Sequence, residues 1–258
     1  MINQISFNIP ELENMKKYPS ELFYIGNTNL LKKKKISIIG TRRPSSYTKE
    51  FTHKLASKLS NFDICIVSGA AMGVDAISHI AAGYDNTIAV VANGLDIRYP
   101  SVNKNLISGI EQKGLMLSAY KAGEKARNYT FVLRNEIVVA LGDILIVTQA
   151  DIKSGSLTSV NYALKMGKKV YTLAHRINES IGTQELVKKG LVEVIYDIDE
   201  FIQTITNKLA PLKQSDEILL FCDTNPSYED AISKYGDKIL EYELEGKIRI
   251  ENAKVSIM

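Results

Sequence analysis

IVSGAAMGVDA, Ile66 to Ala76, leaves a β-branched run, turns on glycine and enters a segment with helical spacing. A strand that feeds a helix through a tight turn is half of the unit from which parallel sheets are wound. If that unit recurs, the fold is decided. ISIIG (Ile36 to Gly40), ICIV (Ile64 to Val67), TIAVVA (Thr87 to Ala92), LMLS (Leu115 to Ser118), DILIVTQ (Asp143 to Gln149) and KVYTLA (Lys169 to Ala174) are further short apolar runs. Between them the spacing predicts helices over Ser46 to Leu59, Gly73 to Ala82, Val102 to Gln112, Phe131 to Leu141 and Ser156 to Lys165. Apolar strands alternating with amphipathic helices predict an α/β fold, a mostly parallel sheet with helices on both faces.

At both ends the pattern changes. Residues 1–35 read as a lead-in of turns and short helices, punctuated by Pro10, Pro19 and Gly26 and packed on a main domain of residues 36–210. Residues 214–258 read as three short helices, Ile218 to Phe221, Tyr228 to Lys234 and Asp237 to Leu244, followed by a hairpin. Its strands are Lys247 to Ile250 and Lys254 to Met258, turning at Glu251, Asn252 and Ala253. That order predicts a small C-terminal winged-helix-like domain.

The chain has 258 residues, 45% of them hydrophobic, enough for one large core and a small appendage. Net charge is only +3, but residues 214–258 hold ten Asp and Glu against five Lys and Arg. The tail is therefore −5 and the remainder +8, which places an anionic ligand on the large part. Cys65 and Cys222 stand far apart with no metal-ligand partner nearby, so neither a disulfide framework nor a zinc site is expected. MINQISFNIP lacks the regions of a signal peptide, and the apolar runs are too short to span a bilayer. A cytoplasmic protein without membrane insertion is the expectation.

Three loops at predicted strand ends carry anion chemistry. Gly40-Thr41-Arg42-Arg43-Pro44 offers an arginine pair where ligands of wound sheets bind, although two solvated arginines in a turn look the same in sequence. In the stretch quoted first, Ser68 and Gly69 make the turn, and amides before Gly73 would point out of a helix N-terminus. It lacks both the Walker lysine and the three-glycine order of a dinucleotide loop, and a plain tight turn fits as well. Lys153, Ser154, Gly155 and Ser156 repeat the arrangement before another helix. Finally, Arg127, Tyr129, Phe131, Arg134 and Asn135 interleave cations, aromatics and an amide, a pattern suited to stacking a base beside phosphate-binding arginines. Phe131 as a helix staple, with Arg134 pairing locally, is the competing account. His53, His79 and His175 have no metal spacing, and the loop serines have no base partner, so no catalytic constellation, metal or cofactor is expected.

Taken in order, GTRRPSSY, VSGAAMGVDAISH, NGLDIRYP, YTFVLRNEIVVALGD, KSGSLTSVNYAL and IGTQELVKKG resemble the DprA family of DNA-processing proteins, also called Smf, from about Pro10 to Val192. The resemblance implies an extended Rossmann-like domain that binds single-stranded DNA, protects incoming DNA in natural transformation and loads the RecA recombinase. It further implies a homodimer without catalytic activity. Its groove would use Arg42, Ser68, Gly69, Gly73, Phe131, Arg134, Asn135, Ser154, Gly155 and Ser156, with Arg127 and Lys153 as further cations. The chain departs from the family pattern at Met72, where a basic residue is usual, at Ala119, where a glutamate is common, and in lacking prolines before Arg127. The N-terminal helical module of many members is also expected to be missing. The alternative is a Rossmann-type nucleoside-monophosphate hydrolase of the lysine-decarboxylase-like group. That signature needs a glutamate, and no Asp or Glu lies between Lys153 and Lys165. For the tail, the −5 balance predicts a protein-interaction or dimer-stabilising module rather than a duplex-DNA binder.

Overall fold

The structure, a computed structural model, describes residues 1–206, 218, 221–222, 224, 226–244, 247–251 and 253–257. It divides into two compact units, Met1–Ile198 and Asp199–Met258.

The first unit is built on nine strands. They are β1 (Asn3–Gln4), β2 (Phe23–Gly26), β3 (Lys35–Ile39), β4 (Cys65–Ser68), β5 (Thr87–Val90), β6 (Leu115–Ser118), β7 (Ile144–Val147), β8 (Val170–Leu173) and β9 (Glu193–Ile195). Their spatial order is β1-β2-β6-β5-β4-β3-β7-β8-β9. From β6 across to β9 every neighbouring pair is parallel. The crossovers are helices α1 (Ser46–Asn61), α2 (Val74–Ala82), α3 (Lys104–Lys113), α4 (Asn128–Leu141), α5 (Gly155–Lys165) and α6 (Ile181–Lys188). Strands β3 to β6 are buried along their whole length, which explains their unalternated Ile, Val and Leu.

Successive strand residues feed opposite cores. Val67, Ile88, Val90 and Leu117 join Ile137 to Leu141 of α4 and Val160 of α5, whereas Ala89 and Met116 join Leu106, Ile107 and Ile110 of α3. The expected two-faced, mostly parallel sheet is therefore what the chain forms.

One topological feature places the functional region. From β3 the chain builds outward through β4, β5 and β6, then returns to lay β7 on the other side of β3. Loops leaving β3 and β7 consequently diverge at their carboxyl ends and open a crevice. The three suspected loops leave β4, β3 and β7, which are adjacent strands.

Several expectations are corrected. The lead-in is not merely packed on the sheet: Phe23–Gly26 pairs antiparallel with β6, Tyr24 opposite Leu117, and β1 adds beyond it. FYIG is short and has no alternation, so only its distant partner makes it a strand. The βα pattern does not end at KVYTLA, because α6 and β9 follow. Helix α4 starts at Asn128, earlier than its apolar spacing indicated, because the Thr130 hydroxyl accepts the Arg127 N–H at 2.8 Å and caps the first turn.

The second unit holds α8 (Tyr228–Tyr235), α9 (Lys238–Leu244) and the antiparallel pair β10 (Ile248–Glu251) and β11 (Lys254–Ile257). A further helix, α7 (Ile198–Thr206), begins at the division between the units. Ile218, Cys222, Ala231, Ile239, Ile248 and Val255 form its core. Over the described residues, two helices thus precede a hairpin in the order read from the sequence. The boundary expected between residues 210 and 214 lies outside the described residues, as do Asn252 of the expected turn, Met258 and two residues of the expected first helix.

Candidate functional site

The first loop is tied to the strand beside it. Thr41 N–H donates to the Gln149 carbonyl at 2.9 Å, and Ser45 N–H to the Gln149 side-chain oxygen at 3.0 Å. Thus anchored, the loop leaves Arg42 and Arg43 exposed. Arg42 lies over the Phe131 ring, 5.2 Å from its centroid. Arg134 approaches the same ring at 5.7 Å, so two guanidinium groups lie close to Phe131. Residues 131, 134 and 135 share one face of α4 because they are three and four positions apart.

The second loop departs from its expected role. Ser68 is fully buried, and its hydroxyl donates to the Ile38 carbonyl at 2.6 Å. Gly69 N–H and Ala71 N–H both donate to Asp75 Oδ2, at 3.1 and 3.4 Å, and Ala70 N–H to His79 Nε2 at 3.3 Å. The amides thought to await a phosphate are therefore spent inside the protein. Gly73 serves the backbone: its φ is +78°, and a Cβ there would meet the Thr41 oxygen at 2.4 Å. Ser68, Gly69 and Gly73 thus shape the crevice from behind.

Arg134 also faces inward while lining the cavity. It is buried, and its Nη1 donates to the carbonyls of Gly69 and Val90, the latter at 2.7 Å, while Nε donates to Asn135 Oδ1 at 3.1 Å. The guanidinium pins the second loop to α4 and supplies positive charge from beneath. Burial pushes its pKa down and the Asp75 charge pulls it back up. Burial likewise raises the Asp75 carboxyl, opposed by Arg134 and by the Gly69 and Ala71 amides.

The third loop keeps its donors open. Lys153 takes a left-handed conformation (φ +63°) that turns the chain into α5. Gly155 and Ser156 begin that helix, where N–H groups have no intrahelical acceptor. The Ser154 hydroxyl is buried without a hydrogen-bond partner. A cavity of about 370 Å³ opens here, lined by Thr41, Arg42, Asp75, Phe131, Arg134, Asn135, Ser154, Gly155, Ser156 and Ser159 among others.

Seven of the expected residues therefore meet around one cavity: Arg42, Phe131, Arg134, Asn135, Ser154, Gly155 and Ser156. Arg127 and Lys153 are exposed and do not line it. Beside the cavity is a small pocket of about 30 Å³ whose lining includes Arg42, Gly69, Met72, Tyr99 and Phe131. Tyr99 was not singled out from sequence, yet its ring lies 6.3 Å from Phe131 and it is 46% exposed. The available signal was an aromatic beside Pro100 in a loop that follows a strand end. His175 Nε2 donates to the Thr148 carbonyl (2.7 Å) and the ring stands edge-on to Tyr47, away from the cavity lining. Among the described residues no cluster of His, Cys, Asp or Glu is disposed to hold a metal, and no helix is long and apolar enough to cross a membrane.

This geometry is that of an anion-holding crevice with an aromatic platform. Comparison with known proteins identifies the family. Residues 6–206 match the family model described as DNA recombination-mediator protein A. The chain is 35% identical to the DNA processing protein DprA of Streptococcus pneumoniae, covering 70% of this chain and 65% of that protein. It is 32% identical to the protein Smf of Synechocystis, covering 72% and 49% respectively. The chain thus spans about two thirds and about half of these two relatives. Among solved structures, DNA processing protein A from Helicobacter pylori, described for its single-stranded DNA binding mode, is 39% identical with a TM-score of 0.78 over 80% of this chain and 96% of its own. The Streptococcus pneumoniae structure is 32% identical with a TM-score of 0.72, over 78% and 73%.

Proposed function

Because the chain belongs to the DNA recombination-mediator protein A family, we propose that its switch-point crevice holds a single strand of DNA. Phosphates lie against Arg42 and the open N–H groups of Gly155 and Ser156, with Arg127 and Lys153 adding charge outside the cavity. Phe131 stacks a base, and Tyr99 extends the platform. The carrying observation is the exposed Arg42 guanidinium 5.2 Å over Phe131 at the mouth of the cavity. A stacking face beside a cation reads any base and any phosphate, which suits a strand taken up without sequence preference.

In this reading the protein acts by binding rather than catalysis: it shields incoming strands in natural transformation, works as a homodimer and delivers DNA to RecA. A nucleoside-monophosphate hydrolase has less support, since Asp75, the carboxylate lining the cavity, already accepts two backbone amides.

The test is fluorescence anisotropy of labelled oligo-dT across salt concentrations. Arg42→Ala is expected to weaken binding of unrelated sequences alike and to make the log–log salt slope shallower by about 0.7, the value for one single-strand phosphate. Unchanged affinity and slope would place the groove elsewhere. Incubation with AMP is expected to release no free base.

A further inference from the structure

The loop quoted first has the build of a phosphate site, yet its donors are already taken. Successive backbone N–H groups turned to one side form a concavity that binds anions. Here the concavity contains Asp75: Oδ2 receives the Gly69 and Ala71 N–H groups, and the residue is 7% exposed. The intervening Ala70 N–H is satisfied by His79. Arg134, also buried, holds the Gly69 carbonyl and supplies the countercharge. Three consecutive amides are thereby satisfied with no ligand, and the guanidinium is held by Gly69, Val90 and Asn135.

We infer that Asp75 is a built-in anion, occupying the slot that a ligand phosphate takes in nucleotide-binding loops and closing this loop to mononucleotides. A phosphate approaching the loop would have to displace a buried carboxylate or sit beside a second negative charge. In a medium of low dielectric either is costly. The ligand is thereby diverted to the outer donors, Arg42 and the start of α5. Asp75 is then a specificity-determining and positioning residue, and this holds whether or not the crevice takes a nucleic-acid strand.

Removing the carboxylate should open the slot to a small oxyanion. The experiment compares thermal melting of the full chain and its Asp75→Ala variant in inorganic phosphate and in chloride, at matched ionic strength. The variant is expected to melt lower in chloride and to regain at least half of the lost Tm in phosphate, with saturation. The original chain should respond less. The excess should persist when Arg42→Ala is added to both, which separates this slot from any phosphate held at the outer crevice. Asp75→Asn keeps the volume without the charge and should show a weaker rescue. Should Asp75→Ala fail to fold in chloride, refolding yield in phosphate reads the same slot. Equal behaviour of the variant in the two salts, or an equal phosphate response of the original chain, overturns the inference.

Discussion

His79 lies beneath the second loop with no exposure, and both of its nitrogens are committed. Nε2 accepts the Ala70 N–H, so the ring proton sits on Nδ1 and is given to Thr87 Oγ1, whose own proton goes to the Ile66 carbonyl at 2.8 Å. A protonated imidazole has no acceptor left for that amide. Burial, with Arg134 nearby, accordingly holds its pKa down to about 3. The sign follows: a base whose pKa is depressed on folding leaves the unfolded chain to take the proton alone. Stability is therefore complete above the unfolded value and falls as pH drops from about 6.5 toward 3, by up to about 1.4 kcal/mol per unit. Asp75 works against this, since its raised pKa lets the folded state take up a proton first on acidification. His79→Gln can keep both hydrogen bonds without titrating. Denaturant unfolding between pH 6 and 5 should show the variant's stability falling less steeply, by about 1 kcal/mol per unit. Parallel pH profiles for the two proteins would mean that His79 gains its proton in the folded state.

At the scale of elements, the contact between the first two loops depends on Gly73 at the mouth of α2. Its φ is +78°, and the nearest atoms to an added Cβ are the Thr41 oxygen and Arg42 carbonyl carbon, at 2.4 and 2.6 Å. Both are backbone, so nothing can swing aside. Gly167, after α5, has a similar φ of +69° but open space around it. Gly167→Ala should cost about 1 kcal/mol, the conformational penalty alone, whereas Gly73→Ala should cost at least about 2 kcal/mol. Chemical denaturation decides between them, and equal losses would show that the two loops can separate cheaply. The same elements show what local sequence could reveal. Strand, glycine turn and helix are written within ten or so residues, so β3 to β8 and their helices were legible. Strand order was not, because the placing of β7 beside β3 is settled by pairing across about a hundred residues. For the same reason β2 escaped notice. In the site, residue type was legible but direction was not: Arg134 and the 69–71 amides carry the right chemistry and face inward. Only the fold shows that Asp75, a few positions along, reaches back to take those amides.

For the whole molecule, charge is divided as the two units are. Residues 214–258 carry −5 and the remainder +8, so the attraction for a polyanion belongs to the first unit. Strand binding releases condensed counterions, and the salt slope therefore counts the phosphates neutralised, at about 0.7 each for a single strand. Arg42, Arg127 and Lys153 are the exposed cations assigned to the strand, which gives an expected slope of about −2. A chain ending at Thr206 removes the acidic tail while retaining all three. Its slope for oligo-dT should match that of the full chain, and its affinity at low salt should be equal or higher, since long-range repulsion from the tail is gone. Neither protein should prefer duplex over single-stranded DNA. Melting temperature serves as the control for folding of the shortened chain. If the shortened chain melts normally yet loses most of its oligo-dT affinity, the tail contributes contacts that outweigh its charge, and it must be counted as part of the nucleic-acid surface.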